Sequence, residues 1–462
     1  MRIPMPWLLV GLLGCTTAVP PEPGPVVVLA SFDTTRVDSI SAYGGADAST
    51  PNLDALANRG VRFDWAMASL PTTLGSHTTM MSGMDTHGHG VPRNGQPVPK
   101  DVPLLAEQLA VAGWDRIAVV GAMPLESDMG LDRGFRVYKD TEFSSWFGSP
   151  RKGADEVTDA ALKAIDERPG GQPLFLFVHY YDPHSPWEAA PQHIRDQFVS
   201  PDFDIDRGGL DGLEVFRTRA RKGMKLKKSR VQQARKLYLA QVHWTDQEFG
   251  RLLDGLDQRG LMKDSLIIMT ADHGEMLDER RLGQVYTHGP DVDLPVIHVP
   301  MIVAGRGMFD VPKGVAIERR VRLSDIPNTV LSAASMDARL GNGEDLAAVW
   351  SGTAGPPPAH FAEATRSGLN MRLGKSPEGV WPNLQFERTV IDDDSMLVYT
   401  PWTGEPSRLY AVNDEQTEVN DEEKSVRLRA ALDAWDAVAP STGAGAMDAE
   451  TEQALRQLGY LE

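Results

Sequence analysis

Cysteine is all but absent: Cys15 is the single one in 462 residues. No disulfide can close within the chain, and no cysteine-based zinc site can form. Positive charge is scarce as well. Lys and Arg number 46 against 64 Asp and Glu, a formal net charge of −18, so nothing broadly basic is on hand to neutralise a phosphate backbone. This excludes a general nucleic-acid binder, and nucleic acid is not among the expected partners. The acidity is spread along the chain and reads as solubility. Long apolar runs are lacking too: the N-terminal one, Trp7 to Leu13, is too short to span a bilayer. No internal repeat is visible.

What is there is length enough for a large core, and more than one average domain needs. Residues 1–14 carry one early basic residue, Arg2, and then the apolar run, which reads as a signal peptide to be set aside from the fold. Leu12-Leu13-Gly14-Cys15 resembles a bacterial lipoprotein signal box, with Cys15 the lipidated residue after cleavage. Thr16 follows it in place of Asp, which in a Gram-negative bacterium points to the outer membrane. The expectation is a cell-envelope protein, anchored to a membrane by lipid on Cys15 and facing the periplasm or the exterior. Residues 15–25 end in Pro20-Pro21-Glu22-Pro23-Gly24-Pro25, a stiff linker.

Val26 to Ala30, Arg116 to Gly121, Leu174 to His179, Ser265 to Thr270 and Val296 to Val303 are continuous apolar runs, as strands buried on both faces should be. Between them lie helical patterns: a helix after Thr50 as N-cap with Pro51 at its first position, then Val102 to Ala112, Ala154 to Glu167 and Lys236 to Gly260. Strands alternating with helices predict an α/β fold, a doubly wound and mostly parallel sheet flanked by helices, over residues 26–345. From 346 to 462 the character changes. A Gly/Pro-rich break at Gly352 to Pro358 precedes short strand-like pieces and a helix from Asp421 to Ala437, which predicts a small C-terminal antiparallel subdomain. The basic run Arg217 to Lys236 reads as a solvated helical insertion, or more sharply as a contact for anionic headgroups or substrate.

In such sheets ligands bind beyond the carboxyl ends of the strands, and Asp33, Asp182 and Asp272 each lie just after a strand run. A hydroxyl-rich loop, Pro71 to His77, leads into a helix, where unpaired N–H groups and the helix dipole favour negative charge. Asp33, Asp272 and His273 offer mixed oxygen and nitrogen ligation, which suits Zn²⁺ or Mn²⁺ better than Ca²⁺ or Mg²⁺. A cation touching the Thr73 oxygen would lower its pKa and make it a nucleophile. Taken singly, Asp33 reads as a helix cap, Asp272-His273 as a loop pair and Thr73 as a turn residue; together they read as a site.

In order along the chain, Asp33, Thr50-Pro-Asn-Leu-Asp-Ala-Leu-Ala, Pro71 to Gly83, Asp182-Pro-His184, Thr270-Ala-Asp272-His273-Gly-Glu275, Thr287-His288-Gly and Asp325-Ile-Pro resemble the sulfatase family within the alkaline phosphatase superfamily. The resemblance covers most of residues 26 to 335. It implies an alkaline-phosphatase-like fold and an anionic ester substrate. It further implies Asp33, Thr73, Asp272 and His273 as metal ligands, and His184 and His288 as groups that hold the anion or protonate the leaving oxygen. Sulfatases proper carry Cys or Ser at the nucleophile position, converted to formylglycine, and Arg four residues on; here Thr73 and His77 stand there. No formylglycine is expected, and His77 is expected to replace part of the arginine's role. The second aspartate is Thr34, and Gly-Lys-x-His reads Gly121-Ala122-Met123-Pro124. The expected reaction is hydrolysis of phosphate mono- or diesters, or of sulfate esters, through Thr73. The alternatives are a phosphoethanolamine-type headgroup transferase, or a weakly catalytic anion-binding protein of the same fold. Asp182, His184 and His288 are the candidates for a second ion, and residues 188–235 for the pocket wall.

Overall fold

The run Val26–Phe32 (β1) lies near the middle of the main sheet, every residue of it buried. In this computed structural model, residues 22–141, 151–200, 227–279, 285–365, 386–400, 406–412 and 414–438 are described. The signal segment, Cys15, Thr16, residues 217–226 of the basic run and most of the pocket-wall insertion lie outside them.

Eight further strands complete the main sheet: β2 (Val61–Met67), β3 (Asp115–Val120), β4 (Val137–Lys139), β5 (Leu174–Tyr180), β6 (Ser265–Thr270), β7 (His298–Arg306), β8 (Val315–Ile317) and β9 (Val321–Arg322). Their order is β4-β3-β5-β1-β6-β7-β2-β8, with β9 also on β2. Pairing is parallel from β4 through β6, antiparallel where β7 joins β6 and β2, and parallel again at β8 and β9. The sheet is therefore mixed and mostly parallel.

Strand alternation divides the apolar side chains between two cores. Val26, Val28, Ala30 and Phe32 face α1 (Pro51–Asn58), which contributes Leu53 and Leu56. On the same side lie Val157 and Ala161 of α3 (Ala154–Asp166) and Phe249, Leu252 and Leu256 of α4 (Lys228–Gln258). Val27 and Leu29 face the other way, onto Leu74 and Met80 of α2 (Thr73–Ser82) and Val330 and Leu331 of α5 (Ile326–Ala333). Burying both faces of the sheet is what allows its parallel strands to read as unbroken apolar runs.

A second, five-stranded antiparallel sheet runs β10 (His360–Thr365), β11 (Phe386–Ile391), β12 (Ser395–Tyr399), β13 (Arg408–Ala411) and β14 (Asp414–Glu418) in chain order. One face packs Val390, Leu397 and Leu409 on Leu428, Leu432 and Trp435 of α6 (Glu422–Asp436). The other sets Ala362, Ile391, Met396 and Tyr410 on Met67, Val292 and Ile297. Leu346 and Val349, ahead of the small sheet, pack in the large core.

Three local expectations are corrected. The run from Val296 is not all strand: Leu294–Ile297 makes one helical turn, with Pro295 in its first turn, and β7 starts at His298. Thr50 does not cap α1, because its hydroxyl is taken by Ser41 at 2.8 Å. Asp246 of α4 does so from across the fold, accepting the Leu53 N–H at 2.8 Å and the Asn52 N–H at 3.1 Å. And α4 begins at Lys228, so the described end of the basic run is its first turns. Among the described residues no helix is long and apolar enough to cross a membrane.

Candidate functional site

Three neighbouring strands, β5, β1 and β6, end side by side, and the residues just past them form the floor of a site. Asp33 follows β1, its N–H bonded to the Tyr180 carbonyl at 2.9 Å. Thr34 turns with φ of +49°, and its N–H meets Asp272 Oδ1 at 3.2 Å. That oxygen also accepts the His273 N–H at 2.8 Å. Asp33, Thr73, Asp272 and His273 are all fully buried. One ligand atom from each of Asp33, Asp272 and His273 lies within 4.8 Å of the others.

The donor set fits a divalent cation. Asp33 Oδ1, Asp272 Oδ2, His273 Nε2 and Thr73 Oγ1 are buried with no hydrogen-bond partner among the described residues. His273 Nδ1 sits 2.9 Å from the Gly274 carbonyl; donating there leaves the Nε2 lone pair for a metal, 3.4 Å from Asp272 Oδ2. Burial, and then the neighbouring Asp272, raise the Asp33 carboxyl well above its ordinary range. Two carboxylates buried this closely do not both ionise without a counter-charge, and a bound cation supplies one. Gly274 lets the loop lie close to its neighbour: a Cβ there would come within 2.1 Å of the Pro295 carbonyl.

Thr73 is the first residue of α2, the ten-residue helix expected after the hydroxyl-rich loop. The side chain of Asn94 takes the Leu74 N–H at 2.8 Å and holds the helix start in place. His77, one turn on, places its Nδ1 2.7 Å from the Thr73 carbonyl, its Nε2 2.9 Å from Ser31 Oγ, and its Nδ1 3.9 Å from Asp272 Oδ2. Burial, and then His179, push its pKa down to about 3. With one ring nitrogen on the Thr73 carbonyl and the other on Ser31 Oγ, His77 ties Thr73 to β1, and its lowered pKa favours the uncharged ring.

His179, the residue before the last of β5, was not singled out from sequence. Its Nε2 lies 3.2 Å from Asp33 Oδ2, and burial lowers its pKa to about 4. A neutral ring donating there orients Asp33 and leaves Oδ1 for a cation. His77, His179 and Asp272 form a second group with ligand spacing, but His77 Nδ1 is already spent on Thr73, which makes the first group the better seat. A histidine near the carboxyl end of a central strand, two positions before the strand runs out, is the signal that could have marked His179.

His184 and His288 face each other across the site mouth, ring centroids 5.0 Å apart and steeply inclined. His288 also lies 4.4 Å from the His273 ring, so the three imidazoles run outward from the metal ligands. His184 is stacked on Tyr181 at 4.6 Å and bonded through Nδ1 to its hydroxyl at 2.7 Å. Asp182 is placed elsewhere: its Oδ1 accepts the Ala154 N–H at 3.1 Å, at the start of α3. Among the described residues, Asp182, His184 and His288 do not come together as a ligand group.

Burial lifts the Asp182 pKa to about 7. An acid held above its unfolded value adds stability that is complete below about pH 4 and is lost as pH climbs through about 7. Asp182→Asn, which keeps the acceptor for Ala154, is therefore expected to match the wild-type melting temperature at about pH 4 and exceed it at about pH 8. An equal offset at both pH values would refute this.

The comparisons with known proteins bear on the family and the fold. The Sulfatase family model matches residues 25–336. The chain is 24% identical over 331 residues to the N-acetylglucosamine-6-O-sulfatase of Bacteroides thetaiotaomicron, 55% of this chain and 59% of that protein. It is 25% identical over 393 residues to the ulvan-active sulfatase of Formosa agariphila, 79% of this chain and 71% of that one. The chain thus spans between about three fifths and three quarters of these two curated relatives. Among solved structures, the phosphonate monoester hydrolase of Silicibacter pomeroyi is similar with a TM-score of 0.67 and 20% identity, over 89% of this chain and 94% of that one. At that identity the likeness speaks for the fold. With the family model covering well over half its length, the chain belongs to the sulfatase family.

Proposed function

We propose that this protein is a divalent-metal-dependent ester hydrolase acting on phosphate mono- and diesters, or on sulfate esters, with Thr73 as its nucleophile. The observation that carries this reading is the Thr73 hydroxyl, wholly buried at the start of α2 and unpartnered among the described residues, on a helix turn tied to Ser31 of β1 through His77. Asp33, Asp272 and His273 would hold the cation. When bound, it would acidify the Thr73 hydroxyl and offset the charge developing on the ester.

Thr73 gives its proton to solvent and its Oγ attacks phosphorus; the Oγ–P bond forms as the bond to the leaving oxygen breaks. His288, with His184 beside it, gives a proton to the departing oxygen. Water then breaks the Oγ–P bond, its proton returning to the imidazole, and Thr73 regains its own. Phosphate esters are favoured over sulfate esters because threonine has no route to formylglycine, whose hydrate allows release of bound sulfate by elimination. The nitrogen ligand His273, and Thr34 where relatives carry an acid, favour Zn²⁺ or Mn²⁺ over Ca²⁺ or Mg²⁺. The reading places the enzyme at the cell envelope, held by lipid on Cys15.

The test is the metal content of the protein, with bis-aryl phosphate and aryl sulfate assayed side by side. Bound zinc or manganese with preferred turnover of the phosphate ester is the expected result. Turnover of the sulfate ester alone would overturn the preference, and no turnover with any divalent metal would overturn the enzyme.

A further inference from the structure

Beyond the metal ligands, one buried acid has a single described partner. Glu275 is fully buried, and its Oε2 lies 3.2 Å from His288 Nδ1. Its other oxygen has no hydrogen-bond partner among the described residues.

The pairing follows from backbone register. Met276 and Thr287 exchange N–H···O bonds of 3.0 and 3.1 Å, and the Tyr286 N–H meets the Leu277 carbonyl at 2.8 Å. In an antiparallel bridge at 276 and 287, the next pair along is 275 and 288, with side chains on one face. The acid strand of this bridge is gripped from two sides. The Gly274 N–H bonds to the Val296 carbonyl at 2.7 Å, and Arg36 Nη1 donates to the Glu275 carbonyl at 2.9 Å. Arg36 is in turn forked onto Asp38 at 2.8 and 2.7 Å. The Glu275 carboxylate therefore has a fixed place, and His288 is the ring set against it.

We propose that Glu275 is a positioning residue which pins the Nδ1–H of His288 and so makes Nε2 the ring atom that exchanges the proton: the doubly protonated ring gives its Nε2 proton to the leaving oxygen, and the Nδ1–H ring that remains takes at Nε2 the proton of the attacking water. A carboxylate accepts only, so the nitrogen facing it is the one that bears hydrogen. Without it, the ring is at liberty to flip or to change tautomer, and the proton would be offered from the wrong atom. That consequence rests on the reading of His288 as proton donor; the tautomer itself does not.

The experiment has two arms on the full chain loaded with Zn²⁺. In the first, ¹⁵N-histidine NMR reads the His288 tautomer, assigned by its loss in His288→Asn. The Nδ1–H form is expected in wild type and in Glu275→Gln, which keeps an acceptor, and a mixture in Glu275→Leu. The Nε2–H form in wild type, or an unchanged tautomer in Glu275→Leu, overturns the proposal. In the second, phosphate esters are compared by leaving group. Glu275→Leu is expected to cost about 100-fold with alkyl esters but under about 3-fold with nitrophenyl esters, which need no proton, and Glu275→Gln to stay within about 3-fold throughout. Equal loss across the series would indicate a merely structural acid and overturn the role. If wild type turns over none of these esters, the hydrolase reading falls, while the NMR arm still decides the place of Glu275.

Discussion

Thr73→Ala is expected to lower turnover of every substrate by at least about 1,000-fold while leaving the fold and cation binding largely intact, since losing the nucleophile removes the covalent route. The methyl and hydroxyl lost are small, and the Asn94 and His77 bonds to this helix turn go to the Leu74 amide and the Thr73 carbonyl, which alanine retains. Thr73→Ser keeps the hydroxyl and should retain most of the activity, though serine gives up the χ1 restriction of a β-branched side chain. Wild-type protein quenched during turnover should carry phosphate on Thr73, detectable by peptide mass, and the alanine variant should not. Undiminished activity in Thr73→Ala would show that water attacks directly.

Removing the cation should have the next largest effect, and its sign differs between the two states. Asp33 and Asp272 are packed together without solvent, and burial with the neighbouring Asp272 raises the Asp33 carboxyl well above its ordinary range. Asp272→Asn relieves that crowding, so the apo variant is expected to melt no lower than apo wild type. It should also lose the stabilisation that metal confers. For wild type this gain is about 4 kcal/mol at a cation concentration 1,000 times the dissociation constant. Melting curves with and without chelator, run on both proteins, give four numbers. A wild type indifferent to chelator would place the cation elsewhere.

Much of this was legible from the chain because fully buried parallel strands leave an unmistakable trace. Ser265–Thr270 matches its expected limits, and Asp272 and His273 fall where a strand end puts them. Misreadings arose where one pattern serves two structures. The strand expected from Val296 begins inside the Leu294–Ile297 turn, whose last two residues look like the start of the strand that follows. The beginning of α4 is hard to read because Lys228 to Lys236 are mostly charged and polar, with Val231 and Ala234 the only buried side chains among them. His179 left only its place near the end of a strand as a local mark: its partner, Asp33, lies just past another strand, and the pairing of Ser31 with His179 across β1 and β5 brings them close. His77 shows the converse. Its spacing from Thr73 was plain, but its charge was not, because the enclosing core decides that.

The central place of β1 also bears on how the protein is made. Val26 pairs with Leu174 on one side and Ser265 on the other, so β1 waits for partners made about 150 and 240 residues after it. Until β6 is made, one side of this mostly apolar strand is an open edge of the kind that invites association between chains. Contacts this distant in sequence make folding slow. A chain stopped short of Ser265 would lack Asp272 and His273, and it would also expose the flank of β1 that β6 covers. Such fragments should accumulate as aggregates rather than as inactive monomers. The candidate cation seat is completed only when β6 docks beside β1, so metal capture would report that step of assembly.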